Sequence, residues 1–184
     1  MRIKPWRTVE RRVLLVRKPW FTVGAETLEL PDGRVVDDFG FIDMLEFAVI
    51  VPITDAGETV LIRSYKHGVR DVSLSLPAGG FHPGEEPLAG AKRELREETG
   101  FEADRWVPLG RYVVDPNYGC GVMHAFIAHG ARKVTEPDSG DLEEQELLVL
   151  SFADAIARLE SGEIVQLSTA AALGLAAIAL GEGR

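Results

Sequence analysis

The sequence predicts an α+β fold in which a β-sheet carries helices on its faces and follows an N-terminal antiparallel hairpin. Strand patterns come first, then one helix, further strands and finally two helices, and this order favours a sheet flanked by helices. The length of 184 residues suits one domain with a small appendage, and a hydrophobic content of 46% is enough for a core.

The first segment of the chain, 1–41, is predicted to form a small antiparallel sheet. Its expected elements are an irregular basic stretch at 1–12, a short strand at 13–16, a half-buried strand at 21–30, a turn at 31–33 and a returning arm at 34–41. The segment carries Trp6, Trp20 and Phe21, and such apolar side chains on an appended hairpin favour contact with a partner copy. A homodimer is therefore predicted, with 1–41 as the dimerising appendage and 42–184 as the main domain.

The main domain is predicted to begin with a central strand at 45–53, which is nearly all apolar and therefore buried on both faces. A second strand at 59–65 is expected to pair with it as a hairpin across a turn at 55–57. The later expected elements are strands at 106–114, 121–129 and 147–152, loops at 115–119 and 133–140, and helices at 151–159 and 169–180. Ser151 is the expected cap of the first of these helices, and Gly162 its expected end.

The most informative stretch is Gly79–Phe101, GGFHPGEEPLAGAKRELREETGF. Pro87 suits a first helical turn, and Gly100 suits the left-handed position just past a helix end, so a helix of about three to four turns is predicted between them. One stripe of this helix is expected to pack on the core, and it consists of Leu88, Ala91 and Leu95.

An acidic face lies beside that stripe, because Glu94, Glu97 and Glu98 stand at i, i+3 and i+4. Carboxylates so placed repel one another unless a positive charge lies between them, and hard oxygen ligands suit Mg²⁺ or Mn²⁺. Arg93 lies four residues before Glu97 and can brace it. An isolated glutamate-rich helix is usually solvated surface, but the flanking glycines and proline favour a site here.

The stretch matches the pattern G-x5-E-x7-R-E-U-x-E-E-x-G-U, in which U is a bulky apolar residue. The matching residues are Gly79, Glu85, Arg93, Glu94, Leu95, Glu97, Glu98, Gly100 and Phe101. It therefore resembles the Nudix box, the signature of the Nudix hydrolases. The preceding segments, RSYKHG at 63–68 and SLSLPAGG at 73–80, resemble those of Nudix enzymes that cleave ADP-ribose and related nucleotide sugars.

This resemblance implies a Nudix-type αβα sandwich with a mixed β-sheet and a metal-dependent hydrolase. The expected substrate is a nucleoside diphosphate sugar, with ADP-ribose first, which would give AMP and ribose 5-phosphate. The implied cofactor is Mg²⁺, with Mn²⁺ as the alternative, bound by Glu94, Glu97, Glu98 and the backbone carbonyl of Ala78. Glu97, Glu98 and Arg93 are the expected catalytic residues of the box.

A general base is also expected, either among the box glutamates or on a later loop. The acidic run DLEEQE at 141–146 lies in the corresponding region, so Glu143 or Glu144 is favoured, with Asp141 and Glu146 as lesser candidates. The alternative is that this run is an ordinary solvated loop.

Substrate contacts are expected from Arg63, Lys66 and His67, which can meet phosphate or a ribose hydroxyl, and from Pro116 and Tyr118 in a later loop. That loop lacks the Ser-Pro-Gly sequence usual in the ADP-ribose members. Two alternatives therefore stay open. One is a Nudix hydrolase of another derivative, such as a GDP-sugar, a dinucleotide or a nucleoside triphosphate; the other is a nucleotide-binding module without turnover.

The formal net charge of −9 argues against a nucleic-acid partner, which would need a basic surface. Cys120 is the only cysteine, so an intrachain disulfide is excluded and a reducing compartment is expected. No signal peptide is recognised, and no apolar run reaches the ~20 residues that span a bilayer. The expectation is a cytoplasmic protein with a small-molecule nucleotide substrate and no membrane partner.

Overall fold

A computed structural model of the chain describes residues 2–140 and 144–181. The strands and helices within them are β1 (Arg7–Arg17), β2 (Phe21–Glu29), β3 (Val35–Met44), β4 (Phe47–Ile53), β5 (Glu58–Lys66), β6 (Asp71–Ser75), β7 (Ala78–Gly80), α1 (Pro87–Thr99), β8 (Phe101–Glu102), β9 (Arg105–Asp115), β10 (Cys120–His129), β11 (Arg132–Lys133), β12 (Gln145–Ser151), α2 (Phe152–Glu160) and α3 (Leu167–Leu180). They cluster into two compact units, Met1–Leu45 with Val113–Val122, and Glu46–Tyr112 with Met123–Arg184.

The first unit contains a three-stranded antiparallel sheet in the order β1-β2-β3, which confirms the predicted N-terminal sheet. The expectation that 1–12 is irregular was wrong, because β1 begins at Arg7. Its polar half pairs with β2 through the backbone, and its arginines form surface ion pairs with β2 and β3. These pairs join Arg7 to Glu29, Arg11 to Glu26 and Asp43, and Arg12 to Asp38.

The second unit contains a mixed sheet in the order β7-β4-β10-β9, in which β4 runs parallel to β10 and antiparallel to β7. A separate sheet has the order β12-β5-β6. The predicted hairpin between β4 and β5 was therefore wrong, although both strands and the turn between them exist. The backbone of an apolar strand can form hydrogen bonds with any neighbouring strand, and β4 pairs with β10, far along the chain, instead of with β5.

Two apolar layers pack on opposite sides of β4, as its all-apolar sequence predicted. Val49 and Val51 pack in a cluster with residues of α2 and α3, whereas Ala48 and Ile50 pack in a cluster with residues of α1. The helices thus lie on both faces of the sheet, which confirms the αβα arrangement. Among the described residues, no helix is both long and apolar enough to cross a membrane.

The buried face of α1 differs from the predicted stripe at one position. Ala91 and Leu95 are fully buried, but Leu88 is 40% exposed. Gly90 lies under the Phe81 ring, where a Cβ would overlap the ring atoms. Gly90 and Glu94 belong to the buried face of α1, whereas Leu88 does not.

Candidate active site

Helix α1 has the ends that its sequence predicted. Pro87 occupies the first turn, and Gly100 caps the C-terminus with a left-handed φ of 74°. Its amide donates to the Arg96 carbonyl at 2.8 Å. These local signals fix the length of the helix and therefore the face on which its glutamates lie.

A cavity of about 470 Å³ opens beside this face. Its lining includes every residue that was expected to act from the box or to bind a metal: Ala78, Arg93, Glu94, Glu97 and Glu98. The cavity wall also includes Gly79 and Gly80 of β7. The helix and the strand before it therefore bring these residues together, as predicted.

Glu94 packs against the β7 backbone at Gly79. A Cβ at Gly79 would overlap the Glu94 carboxyl group, so a larger residue there would displace this side chain. Glu94 is itself buried, with 9% of its surface exposed. The first glycine of the box thus makes a cradle for a buried carboxylate.

Arg93 joins the box loop to the acidic face of α1. Its guanidinium donates to Glu85 at 2.9 Å, to Glu94 at 2.7 Å, to Glu97 at 2.9 Å and to the Gly80 carbonyl at 2.9 Å. These hydrogen bonds raise the pKa of Arg93 and, with the His82 amide, hold the pKa of Glu85 at about 2. The predicted bracing of Glu97 by Arg93 is confirmed.

Glu98 is tied to the other side of the cavity, because its Oε2 accepts a hydrogen bond from the Ala78 amide at 2.7 Å. This bond fixes the Pro77–Ala78 peptide group, which directly precedes the Ala78 carbonyl. No three His, Cys, Asp or Glu side chains already converge as a metal centre within 2–140 and 144–181. The donor set still fits a hard divalent cation, since carboxylate oxygens and the Ala78 backbone line one cavity around the Gly79 cradle.

The residues predicted to bind substrate lie elsewhere. Arg63 donates to Glu146 at 2.8 Å, and both line a second cavity, of about 440 Å³, with Tyr65 and Glu144. His67 Nδ1 lies 3.3 Å from the Tyr65 hydroxyl. Lys66, which lies on β5 with Arg63 and Tyr65, does not line the box cavity either.

The loop residues Pro116 and Tyr118 line a third cavity, which belongs to the first unit. This cavity measures about 270 Å³, and its wall includes Phe39 and Phe41. The favoured base Glu143 and the lesser candidate Asp141 lie outside the described residues. Glu144, which is described, lines the second cavity rather than the box cavity.

Sequence reasoning missed four residues that line the box cavity: His82, Asp138, Ser139 and Gly140. His82 lies inside the box at a position the pattern leaves variable. The other three follow β11 in a polar loop that had no local signal for a site. Only a contact between that loop and α1 could have indicated them.

A comparison with protein families matches residues 44–167 to the NUDIX domain. The chain is 27% identical over 154 residues to the ADP-ribose pyrophosphatase of Bacillus subtilis (strain 168), with 80% of each chain covered. It is 29% identical over 170 residues to the ADP-ribose pyrophosphatase of Mycobacterium tuberculosis (strain ATCC 25618 / H37Rv), with 88% of this chain and 79% of the relative covered.

The fold also matches a solved structure described as an ADP compounds hydrolase, with a TM-score of 0.81 and 26% identity. That match covers 100% of this chain and 99% of the other. The family match spans the box, the cavity it lines and most of the second unit. The chain therefore belongs to the Nudix family, as the pattern at Gly79–Phe101 indicated.

Proposed function

We propose that this protein is a metal-dependent Nudix hydrolase that cleaves the diphosphate of a nucleoside diphosphate sugar. ADP-ribose is the first choice of substrate, and the products would be AMP and ribose 5-phosphate. The names of the relatives, which are ADP-ribose pyrophosphatases and an ADP compounds hydrolase, support this substrate class. Membership of the Nudix family supports the reaction type, which is hydrolysis of a diphosphate.

The observation that carries the proposal is the cavity beside α1. Glu94, Glu97 and Glu98 meet there with Arg93 and the Ala78 backbone. An anionic diphosphate would be repelled by this acidic wall without cations, so the cavity suits a substrate that arrives with divalent metal. We propose Mg²⁺ as the ion and Mn²⁺ as its substitute, because both prefer carboxylate and carbonyl oxygens.

In this mechanism the three box glutamates and the Ala78 carbonyl would hold the metal. Bound there, divalent ions would neutralise the phosphates and lower the pKa of a bound water. Arg93 holds the Glu94 and Glu97 carboxylates in position through its hydrogen bonds. Glu98 holds the Ala78 peptide in place through the bond to its amide.

The chemical step is the attack of water on one phosphorus of the diphosphate. A P–O bond forms, the bond from that phosphorus to the bridging oxygen breaks, and the bridging oxygen leaves with the other phosphate. The proton of the attacking water passes to a carboxylate, for which we propose Glu143 or Glu144 on the acidic run that follows the cavity wall at Gly140.

Substrate recognition is proposed to use Arg63, Lys66 and His67 for phosphate or ribose oxygens and the loop of Pro116 and Tyr118 for the base or sugar. Tyr118 is 51% exposed and lines a cavity together with Phe39. An exposed ring in an aromatic-lined cavity can stack on a nucleobase, which contributes roughly 1–3 kcal/mol.

We further propose that the chain is a homodimer in which the N-terminal appendage, 1–41, packs against a second copy of the chain. All residues of β1 are exposed, and its apolar members Val9, Val13, Leu14, Leu15 and Val16 are each about half exposed or more. So much apolar surface on one strand favours burial against a partner. The single cysteine supports a reducing compartment, for which we propose the cytoplasm.

The test is a panel of diphosphate compounds incubated with Mg²⁺ or Mn²⁺ and read by phosphate release after phosphatase treatment. ADP-ribose, other ADP-sugars, GDP-sugars, dinucleoside polyphosphates and nucleoside triphosphates form its arms. The highest kcat/KM is expected for ADP-ribose. A much higher kcat/KM for a triphosphate or dinucleotide than for every diphosphate sugar would overturn the substrate, and binding without product would favour a non-catalytic module.

A further inference from the structure

Three polar side chains of the mixed sheet converge outside the cavity beside α1. Glu46, the residue before β4, accepts a hydrogen bond from His124 Nε2 of β10 at 2.5 Å and one from Arg111 Nη2 of β9 at 2.9 Å. The His124 side chain is only 13% exposed. Burying an imidazole without a hydrogen-bond partner is costly, and Glu46 provides that partner.

The protonation of this cluster follows from its contacts. The hydrogen bonds from Arg111 and His124 lower the pKa of Glu46, so its carboxylate is charged at neutral pH. A charged carboxylate only accepts hydrogen bonds, so the hydrogen of the 2.5 Å bond is carried by His124 Nε2. The bond therefore fixes the orientation of the imidazole ring.

The oriented ring packs against Phe81, which is 9% exposed and directly follows β7. The two ring centroids are 5.3 Å apart and the planes are inclined at 63°, an edge contact. The Phe81 amide also donates to the Glu46 carbonyl at 3.0 Å. Glu46 thus holds Phe81 twice, through its own carbonyl and through the imidazole that its carboxylate orients.

The position of Phe81 matters for the cavity because of its neighbour Gly80. The Gly80 carbonyl accepts a hydrogen bond from Arg93 Nη2 at 2.9 Å, and the same guanidinium donates to Glu94 and Glu97 through Nη1. A shift of Phe81 would therefore move an anchor of the arginine that holds two box glutamates. Groups that orient the ligands of a metal in this way affect its affinity without binding it.

We propose that Glu46 and His124 are positioning residues of the candidate active site, which act through Phe81 on the Gly80 carbonyl and on Arg93. The pair lies outside the cavity wall. This inference rests on the proposed function and deepens it, since it names side chains outside the Nudix box that keep the box glutamates arranged for a divalent cation.

The experiment measures the binding of Mn²⁺ to the full chain without nucleotide, by the electron paramagnetic resonance signal of free Mn²⁺. His124→Leu removes both the hydrogen bond to Glu46 and the aromatic contact with Phe81. His124→Gln keeps a donor near the position of Nε2 and tests for rescue. The Tm of every metal-free protein is measured alongside.

The matched control is Trp106→Leu. Trp106 makes an edge contact with Phe126, with ring centroids 6.2 Å apart, and it packs against the same apolar layer that contains Phe81. Trp106 does not line the box cavity. The control therefore removes an aromatic pair of the same kind without the link to Gly80 and Arg93.

The dissociation constant for Mn²⁺ is expected to rise about fivefold or more in His124→Leu, to recover in part in His124→Gln, and to change less than about twofold in Trp106→Leu. This difference should persist where Trp106→Leu lowers the Tm as much as His124→Leu does. Unchanged affinity in His124→Leu, or an equal loss in Trp106→Leu, would overturn the proposal.

Two further outcomes concern the hydrogen bond itself. Binding in His124→Gln that is as weak as in His124→Leu also counts against the proposal, because the donor to Glu46 would then have no effect. If His124→Leu does not fold, Glu46→Gln replaces it, since it removes the charge and keeps the carbonyl that Phe81 uses. Weaker Mn²⁺ binding in Glu46→Gln supports the role, and unchanged binding overturns it.

The two proposals fail in different ways. A wild-type chain whose Mn²⁺ affinity depends on His124, but which hydrolyses no compound of the panel, contradicts the proposed function alone. A wild-type chain that hydrolyses ADP-ribose, with Mn²⁺ affinity unaffected by His124→Leu, contradicts only the role of Glu46 and His124.

Discussion

Arg93 and Glu85 form a two-point ion pair, in which Nε donates to Oε1 and Nη2 to Oε2, both at 2.9 Å. Glu85 also accepts a hydrogen bond from the His82 amide at 2.9 Å. These bonds lower the pKa of Glu85 from its ordinary 4.5 to about 2. Because the folded pKa is the lower one, the stabilisation is complete above the ordinary pKa and is lost as the pH falls towards 2.

We therefore expect Glu85→Gln to lower the free energy of unfolding at pH 7 by about 1–2 kcal/mol, after allowance for solvent screening of a partly exposed pair. The deficit relative to the wild type should shrink to about half or less at pH 3. Urea unfolding at the two pH values measures it, with the exposed neighbour in Glu86→Gln as control. A deficit that is the same at both pH values would contradict this linkage.

Glu98→Gln is expected to lower kcat by more than about 100-fold while the fold stays intact, because an amide lacks the charge that holds a divalent cation. The Gln oxygen can still accept the hydrogen bond of the Ala78 amide, so the cavity wall should persist. Glu97→Gln should behave in the same way. Steady-state turnover and Mn²⁺ affinity are the measurements.

The control for these variants is Glu102→Gln, which removes an equal charge from a residue that pairs with Arg96 outside the cavity. It should retain turnover. Full activity with unchanged metal affinity in Glu98→Gln would count against the assignment of the metal site.

Glu143→Gln or Glu144→Gln is expected to lower kcat by about 100-fold while Mn²⁺ affinity stays close to that of the wild type, because a general base acts on the water and does not hold the metal. Rates over a range of pH, together with Mn²⁺ titration, separate the two effects. If both variants turn over at the full rate, the base is another group.

Leu14→Glu is expected to dissociate the proposed dimer. Leu14 lies on β1 and is 65% exposed, so a charge there should be harmless to the isolated chain but costly in an apolar interface. Sedimentation at micromolar concentration should give a dimer for the wild type and a 20.1 kDa species for the variant. Val165→Glu, at an exposed apolar position of the second unit, is the control, and a wild type that sediments only as the monomer rejects the proposal.

Tyr118→Ala is expected to raise KM for ADP-ribose by about 5- to 100-fold with little change in kcat, because the ring would stack on the substrate without taking part in the reaction. Tyr118→Phe keeps the ring and should recover most of the affinity. Initial rates over a range of ADP-ribose concentrations give both constants. A fall in kcat at constant KM would place Tyr118 in another role.

The parts of the fold that could be predicted from the sequence are those set by neighbours along the chain. Pro87 and Gly100 mark the ends of α1, and the spacing of Glu94, Glu97 and Glu98 places them on one face. Strand partners depend on distant segments, which explains the wrong pairing of β4 with β5.

For the same reason, part of the lining of the box cavity could not be predicted from the sequence. Asp138 lies in a polar loop with no periodicity, and at the cavity its amide donates to the Glu97 carbonyl of α1. Leu88 has the spacing of a core residue but is 40% exposed, whereas Gly90 packs against Phe81 on the buried face. Both positions follow from packing that no local pattern encodes.

The Thr135 carbonyl lies so close to Gly100 that a Cβ at this glycine would overlap it. We therefore expect the last turn of α1 and the loop that carries Asp138 to open as one cooperative unit, since neither can separate without breaking the hydrogen bonds between them. We expect the amide hydrogens of Gly100, Val134, Thr135 and Asp138 to exchange with solvent through a single shared opening event. An ion bound in the cavity would slow the exchange of all four amide hydrogens. Metal binding would thereby stabilise the C-terminal end of α1.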